Sequence, residues 1–254
     1  MRWLSPRPSK AAYEDIYKYE NYFFEHSDDR AYVDIVADRI PHFIGRIKKI
    51  ESLIGINRKL RILDIGAATG EFINEANNAG HIATGIEPSS GAREVAKNNY
   101  NIELVNADIE DLNDNEFDVI HMNHVLEHLY DPADSLRKIH KVLNEHGYLI
   151  IEVPQQFESN LDRLRNLLNF NKRKQFGIYS LHHTYFFKPA NLSALIEKNG
   201  FSIEYIATAN PDRTSLYPPK ISNYILRLFL GFSDMLNKDG NIIEVYAKKR
   251  PLNE

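Results

Sequence analysis

Two carboxylates flank a glycine-containing turn in Asp64-Ile-Gly-Ala-Ala-Thr-Gly-Glu71, and the stretch Leu60 to Ile65 leading into it has the pattern of a buried strand. Open α/β sheets bind ligands at such strand-to-helix junctions, where glycine lets the backbone approach a ligand closely. A dinucleotide fingerprint would need glycine at 66, 68 and 71. This chain has Gly66, Ala68 and Glu71, with its second glycine at Gly70. A Glu71 carboxylate would repel a phosphate approaching the helix N-terminus, whereas a zwitterionic amino acid tail attached to a sulfonium tolerates it.

Further chemistry follows at regular intervals. Ile82 to Ile86 is the next apolar run and ends on Glu87-Pro88, where a carboxylate can accept hydrogen bonds from both hydroxyls of a ribose. In Asn106-Ala-Asp-Ile-Glu-Asp-Leu112, Asp108 can accept from an exocyclic amine and Ile109 can pack on the face of an aromatic base. Histidines supply candidate general bases: His128 in Glu127-His-Leu-Tyr-Asp131, and His182-His183 before Thr184. Either His128 or His183 can equally serve only to bond a backbone group and fix a loop. His124 and His128 would share one face if they stood on a helix, but His121 falls in a strand and only Glu127 is a nearby acidic partner, so no metal site is expected.

The elements that must position these residues fall into three regions. Residues 1–56 read as an N-terminal helical cap: aromatics crowd Tyr13 to Phe24, then Ile35, Ile40, Phe43, Ile44, Ile47, Ile50 and Ile54 recur at helical spacing. From 57 onward apolar runs alternate with helical patterns, the signature of a parallel sheet, with strands expected at 60–65, 82–86, 102–105, 117–122 and 147–153. Insertions are expected at 156–186, which carries the basic run Lys172-Arg-Lys174, and at 209–240. In the latter Ile221, Tyr224, Ile225, Leu228, Phe229, Phe232 and Leu236 repeat as an amphipathic helix suited to a core or homodimer face. Between them a helix from Pro189 closed by Gly200 and two strands, 201–208 and 241–248, complete a single structural domain.

Composition limits the partners. The 254 residues are 43% hydrophobic and 26% charged, with a net charge of -4, so no bulk basic field exists to hold nucleic acid. The complete lack of cysteine removes disulfides, thiolate metal sites and a cysteine nucleophile. No apolar run has the length of a membrane span and the N-terminus lacks a signal-type apolar core, which makes a cytoplasmic enzyme without stable membrane insertion the expectation.

Taken in order, Ile62-Leu-Asp-Ile-Gly-Ala-Ala-Thr-Gly-Glu-Phe72, Gly85-Ile-Glu-Pro-Ser89, Ala107-Asp108 and Phe117-Asp-Val-Ile-His-Met-Asn-His-Val-Leu-Glu-His-Leu-Tyr-Asp-Pro132 resemble the class I S-adenosylmethionine (SAM) dependent methyltransferases. The resemblance is to their small-molecule branch, with methyltransferase domains of types 11, 12 and 23, and covers about residues 58 to 208. It implies a Rossmann-like α/β fold with a seven-stranded, mostly parallel sheet whose last strand is antiparallel. SAM would lie across the carboxyl ends of the strands and leave as S-adenosyl-L-homocysteine. By that resemblance Asp64, Gly66, Ala67, Ala68 and Gly70 surround the methionine part, Glu87 and Pro88 the ribose, and Asp108 and Ile109 the adenine. Asn123 and His124 border the sulfonium, and His183 sits at the substrate opening. Ala68 departs from the family pattern, which more often has glycine. Leu4-Ser-Pro-Arg-Pro-Ser9 and the tyrosines after it resemble a subset acting on bacterial glycans or natural products, in which an aromatic segment (here Tyr13, Tyr22 or Phe23) closes over SAM. That subset carries a cysteine-rich zinc ribbon before the stretch, and none exists here. The implied acceptor is a small molecule or glycan intermediate, methylated on oxygen, with nitrogen or carbon as alternatives. A catalytically silent scaffold of the same fold is the competing reading, and a nicotinamide dehydrogenase is disfavoured by Glu71.

Overall fold

Ile62-Leu63, Val119-Ile120 and Ile150-Ile151 are adjacent apolar pairs that point to opposite faces of a sheet, so both faces need a cover of helices. A computed structural model describes residues 2–3, 39–55, 58–112, 117–155, 184–209, 240 and 242–251. Its main sheet contains β2 (Arg61–Ile65), β3 (Ile82–Ile86), β4 (Phe117–Asn123), β5 (Leu143–Pro154), β7 (Phe201–Ala209) and β8 (Ile242–Lys249) in the order β3-β2-β4-β5-β8-β7. β2 to β5 are mutually parallel, and β8 is antiparallel to both its neighbours. The last strand is thus antiparallel, as the resemblance implied, and it enters between β5 and β7.

One face packs on α1 (Ile40–Ile54) and α2 (Glu71–Asn78), the other on α4 (Pro132–Val142) and α5 (Pro189–Lys198). α3 (Ser90–Tyr100) follows β3. Helix ends carry the expected chemistry. Pro132 occupies the first turn of α4 while Asp131 accepts from the Ala133 and Asp134 amides at 3.1 Å, and Ser89 caps α3 by accepting from Ala92. Gly200 takes φ 96° after α5, the left-handed position its type predicts. A separate two-stranded ribbon pairs β1 (Arg2–Trp3) with β6 (Tyr185–Phe186).

Three expectations need correction. The main sheet has six strands, because residues 102–105 make only one parallel bridge, Val105 to Ile86, at an edge where Val105 stays more than half exposed. β5 begins at Leu143, directly after α4, and the polar residues Asn144 to His146, of which Glu145 and His146 are exposed, hide this extension from a hydrophobic pattern. His124 and His128 do not share a helix: His124 lies in a bend at φ 54° and His128 ends a 3₁₀ turn, Leu126–His128.

Register explains where polarity gathers. On the α1 face Ile62 stands opposite Val119 and Val119 opposite Tyr148, an apolar row. Two residues further along, Asp64 faces His121, and beyond them Glu152 faces Glu244. The same face therefore changes from apolar to charged at the carboxyl ends of the strands.

Candidate active site

The chain runs from β2 outward to β3, then returns to β4 on the other side of β2, so a crevice opens at the carboxyl ends of β2 and β4. The turn after β2 lines it. Gly66, Ala68 and Gly70 take φ 70°, 48° and 86°, a left-handed alternation that only glycine adopts without strain. A Cβ on Gly66 would lie 2.6 Å from a Val125 methyl, so close packing as well as conformation demands glycine there. Four amides of this turn are already engaged. Gly66 and Ala67 donate to Ile86 O at 3.0 and 3.1 Å, Ala68 to Glu87 Oε2 at 2.9 Å, and Gly70 to Ala67 O at 2.9 Å.

Three buried carboxylates surround these amides: Asp64, Glu71 and Glu87. Burial raises the pKa of Glu71, although Thr69 Oγ1 donates to it at 2.5 Å. Burial likewise lifts Glu87 to about 7 against the amides of Ser89 and Ala68, with the nearby Asp64 charge adding to the rise. A crevice with engaged amides and three acids repels a phosphate and suits a cationic ligand. Each Glu87 oxygen accepts one amide, which leaves lone pairs for the hydroxyls of a ribose.

Behind this crevice lies a buried charge network that the sequence reading missed. Arg46 of α1 is fully buried and donates through Nε to Glu244 at 3.1 Å, through Nη1 to Asn123 Oδ1 at 3.1 Å, and through Nη2 to Glu152. Burial opposes its charge, but Glu152 and Glu244 outweigh that and raise its pKa. Burial would raise Glu152, yet Arg46 and the histidines hold it well below the usual range. His42 also reaches Glu152, at 2.9 Å, and the cation these acids surround is the guanidinium. The signal was available: Arg46 stands three residues after Phe43 and four before Ile50, on the buried stripe of an otherwise apolar helix face.

The predicted site residues divide clearly. Asp64, Gly66, Ala67, Ala68, Gly70, Glu87 and Pro88 gather around the turn, with Asn123 and His124 across the crevice at the end of β4. His124 places Nε2 3.1 Å from Glu152 and Nδ1 3.4 Å from Glu127. Burial disfavours its charge, but those two carboxylates raise its pKa to about 9, so it is an imidazolium at neutral pH and cannot serve as a base. Asp108 caps the 3₁₀ turn Ile109–Asp111, accepting from the Ile109 amide at 2.6 Å. Ile109 is 2% exposed and belongs to the core with Ile86 and Leu126. His128 Nε2 lies 3.8 Å from Glu127. His183, the aromatic segment with Tyr13, Tyr22 and Phe23, the basic run 172–174 and the helix read over 221–236 lie outside the described residues. Thr184 beside His183 is buried, and its amide donates to Glu127 O at 3.0 Å.

The strand order, the antiparallel β8 and the acidic glycine turn define a Rossmann-like class I methyltransferase. The chain belongs to the methyltransferase domain family, whose model matches residues 34–206. No functionally curated protein matches it. Among solved structures it is similar to a SAM-dependent methyltransferase from Thermotoga maritima, 20% identical, covering 82% of this chain and 89% of that one with a TM-score of 0.54. A SAM-dependent methyltransferase from Archaeoglobus fulgidus is 19% identical, with 83% and 94% covered and a TM-score of 0.56. Magnesium protoporphyrin IX methyltransferase from Synechocystis PCC 6803, solved with S-adenosylhomocysteine bound, is 14% identical, with 88% and 90% covered and a TM-score of 0.58.

Proposed function

We propose that this protein methylates an oxygen of a small-molecule or glycan acceptor, using SAM held in the crevice between β2 and β4. The observation that carries the cofactor reading is the acidic turn: engaged amides with Asp64, Glu71 and Glu87 around them suit a sulfonium and an ammonium better than a pyrophosphate. Bound SAM supplies an electrophilic methyl group for in-line displacement, with S-adenosylhomocysteine as the leaving group. Asp64 accepts from the ammonium group, Glu87 from the ribose hydroxyls, and the outer lone pairs of Asp108 from the adenine amine. Pro88 borders the nucleoside, while Asn123 and His124 border the sulfonium; Ile109 stays in the core. Glu127 and Glu152 neutralise the charge of His124, so it does not repel that cation.

A hydroxyl nucleophile must lose its proton as it attacks, which asks for a base at the acceptor side. His183 takes that role, with His128 second, and the anchorage of Thr184 on the turn after β4 supports a place beside the crevice. The net charge of -4 disfavours a nucleic-acid acceptor. Among the described residues no helix is long and apolar enough to cross a membrane. Transfer of a labelled methyl group from SAM to a panel of hydroxylated small molecules and sugars tests the reaction. His183→Ala should spare donor binding and lower turnover by about a hundredfold or more; if it abolishes binding instead, the base assignment fails. Donor binding with no transfer to any acceptor would favour the silent scaffold.

A further inference from the structure

Asp64 Oδ1 meets His121 Nδ1 at 2.6 Å, and His121 Nε2 meets Arg46 Nη1 at 2.8 Å. A guanidinium only donates. Nε2 must therefore accept, and the single proton of a neutral ring sits on Nδ1, donating to Asp64. The ring is also stacked on Phe72, with centroids 3.7 Å apart, and Phe72 is the second residue of α2, directly after the turn. Two hydrogen bonds and a stacking contact thus fix its position and tautomer. Among the described residues His121 is the one hydrogen-bond donor to the Asp64 side chain, through Oδ1.

We propose that Arg46 and His121 are positioning residues for the methyl donor: they lock His121 as the Nδ1–H tautomer, so that Asp64 turns its other oxygen to the ammonium group of the donor. This rests on the assignment of the turn to SAM. Without a donor facing Nε2 the ring would be free to take a second proton. The resulting imidazolium would pair with Asp64 and cancel the charge that attracts the ammonium. The groups around the ring are Asp64 from β2, Arg46 from α1 and Glu152 from β5. Beyond them stand Glu71, Glu87, His42, Glu244 and Tyr246, joined through Asp64 or Arg46. Burial, with Arg46, keeps the ring below its ordinary pKa against the pull of Asp64 and Glu152.

Arg46→Lys keeps a cation for Glu152 and Glu244 while removing the planar fork that reaches Nε2. Calorimetric titration with S-adenosylhomocysteine at pH 6 and pH 8 should show its affinity, relative to wild type, falling about tenfold more at pH 6, where the freed imidazole titrates. His121→Asn, which keeps a donor for Asp64 but cannot titrate, should weaken binding by the same factor at pH 6 and pH 8 and should erase the pH effect in the double variant. Nitrogen-15 NMR of the wild-type ring supplies a second readout and needs no variant to fold: it should show neutral Nδ1–H from pH 6 to 8. An Nε2–H tautomer, a ring that titrates in that window, or an equal loss for Arg46→Lys at both pH values would overturn the proposal. Wild-type protein that fails to bind S-adenosylhomocysteine at all would instead overturn the cofactor assignment.

Discussion

At Ala68 a methyl group occupies a left-handed backbone position, φ 48°, between two glycines. That conformation costs an L-residue about 1–2 kcal/mol, and the extra freedom of an unfolded glycine returns part of it. Ala68→Gly should therefore stabilise the fold by about 0.5–1 kcal/mol in chemical denaturation; a loss would mean that the methyl makes contacts worth more than its strain. Glu87 titrates at about 7 when folded against an ordinary 4.5. The folded chain holds this proton more tightly, so the stability it contributes is complete below pH 4.5 and is lost as pH rises through 7. Glu87→Gln should remove that decline, of up to about 3 kcal/mol, from the pH profile of unfolding. A profile that keeps the same slope would assign it to another group. The places of Asp64, Gly66 and Glu87 were legible because they lie at the ends of strands whose pattern is plain, and that of Gly70 because it opens the helix that follows. The position of Ile109 was not, since an apolar residue beside a ligand motif serves a core equally well.

Helix α1 shows what a hydrophobic period reveals and what it passes over. Ile40, Phe43, Ile47, Ile50 and Ile54 place the helix where it is found. The apolar stripe also contains Arg46, whose partners, apart from His42 one turn before it, come from β4, β5 and β8, more than seventy residues away in the chain, and no local pattern announces those. Removing that charge leaves buried Glu152 with His124, and half-buried Glu244 with Lys49, as the nearest remaining cations. Arg46→Met should cost about 3–5 kcal/mol in urea denaturation; a cost below about 1 kcal/mol would mean that the two acids reach water by relaxation. The edge stretch 102–105 has the composition of a strand but only one neighbour to pair with, which is why it holds a single bridge.

For the whole molecule, alternation of strands and helices announced a parallel sheet, and the order of the motifs announced its family. The insertion of β8 between β5 and β7 follows from long-range pairing that one sequence does not display. The features proposed to favour a methyl donor come together only when the parts are assembled: β2, β3, β4 and the start of α2 bring three acids, an engaged turn and a neutralised imidazolium to one crevice. The most direct test is calorimetric titration of the folded protein with S-adenosylhomocysteine, set against NADH. One S-adenosylhomocysteine bound per chain at micromolar concentration, weakened about ten- to a hundredfold by Asp64→Ala or Glu87→Ala, is the expected result. Tight binding of NADH with none of S-adenosylhomocysteine would contradict it.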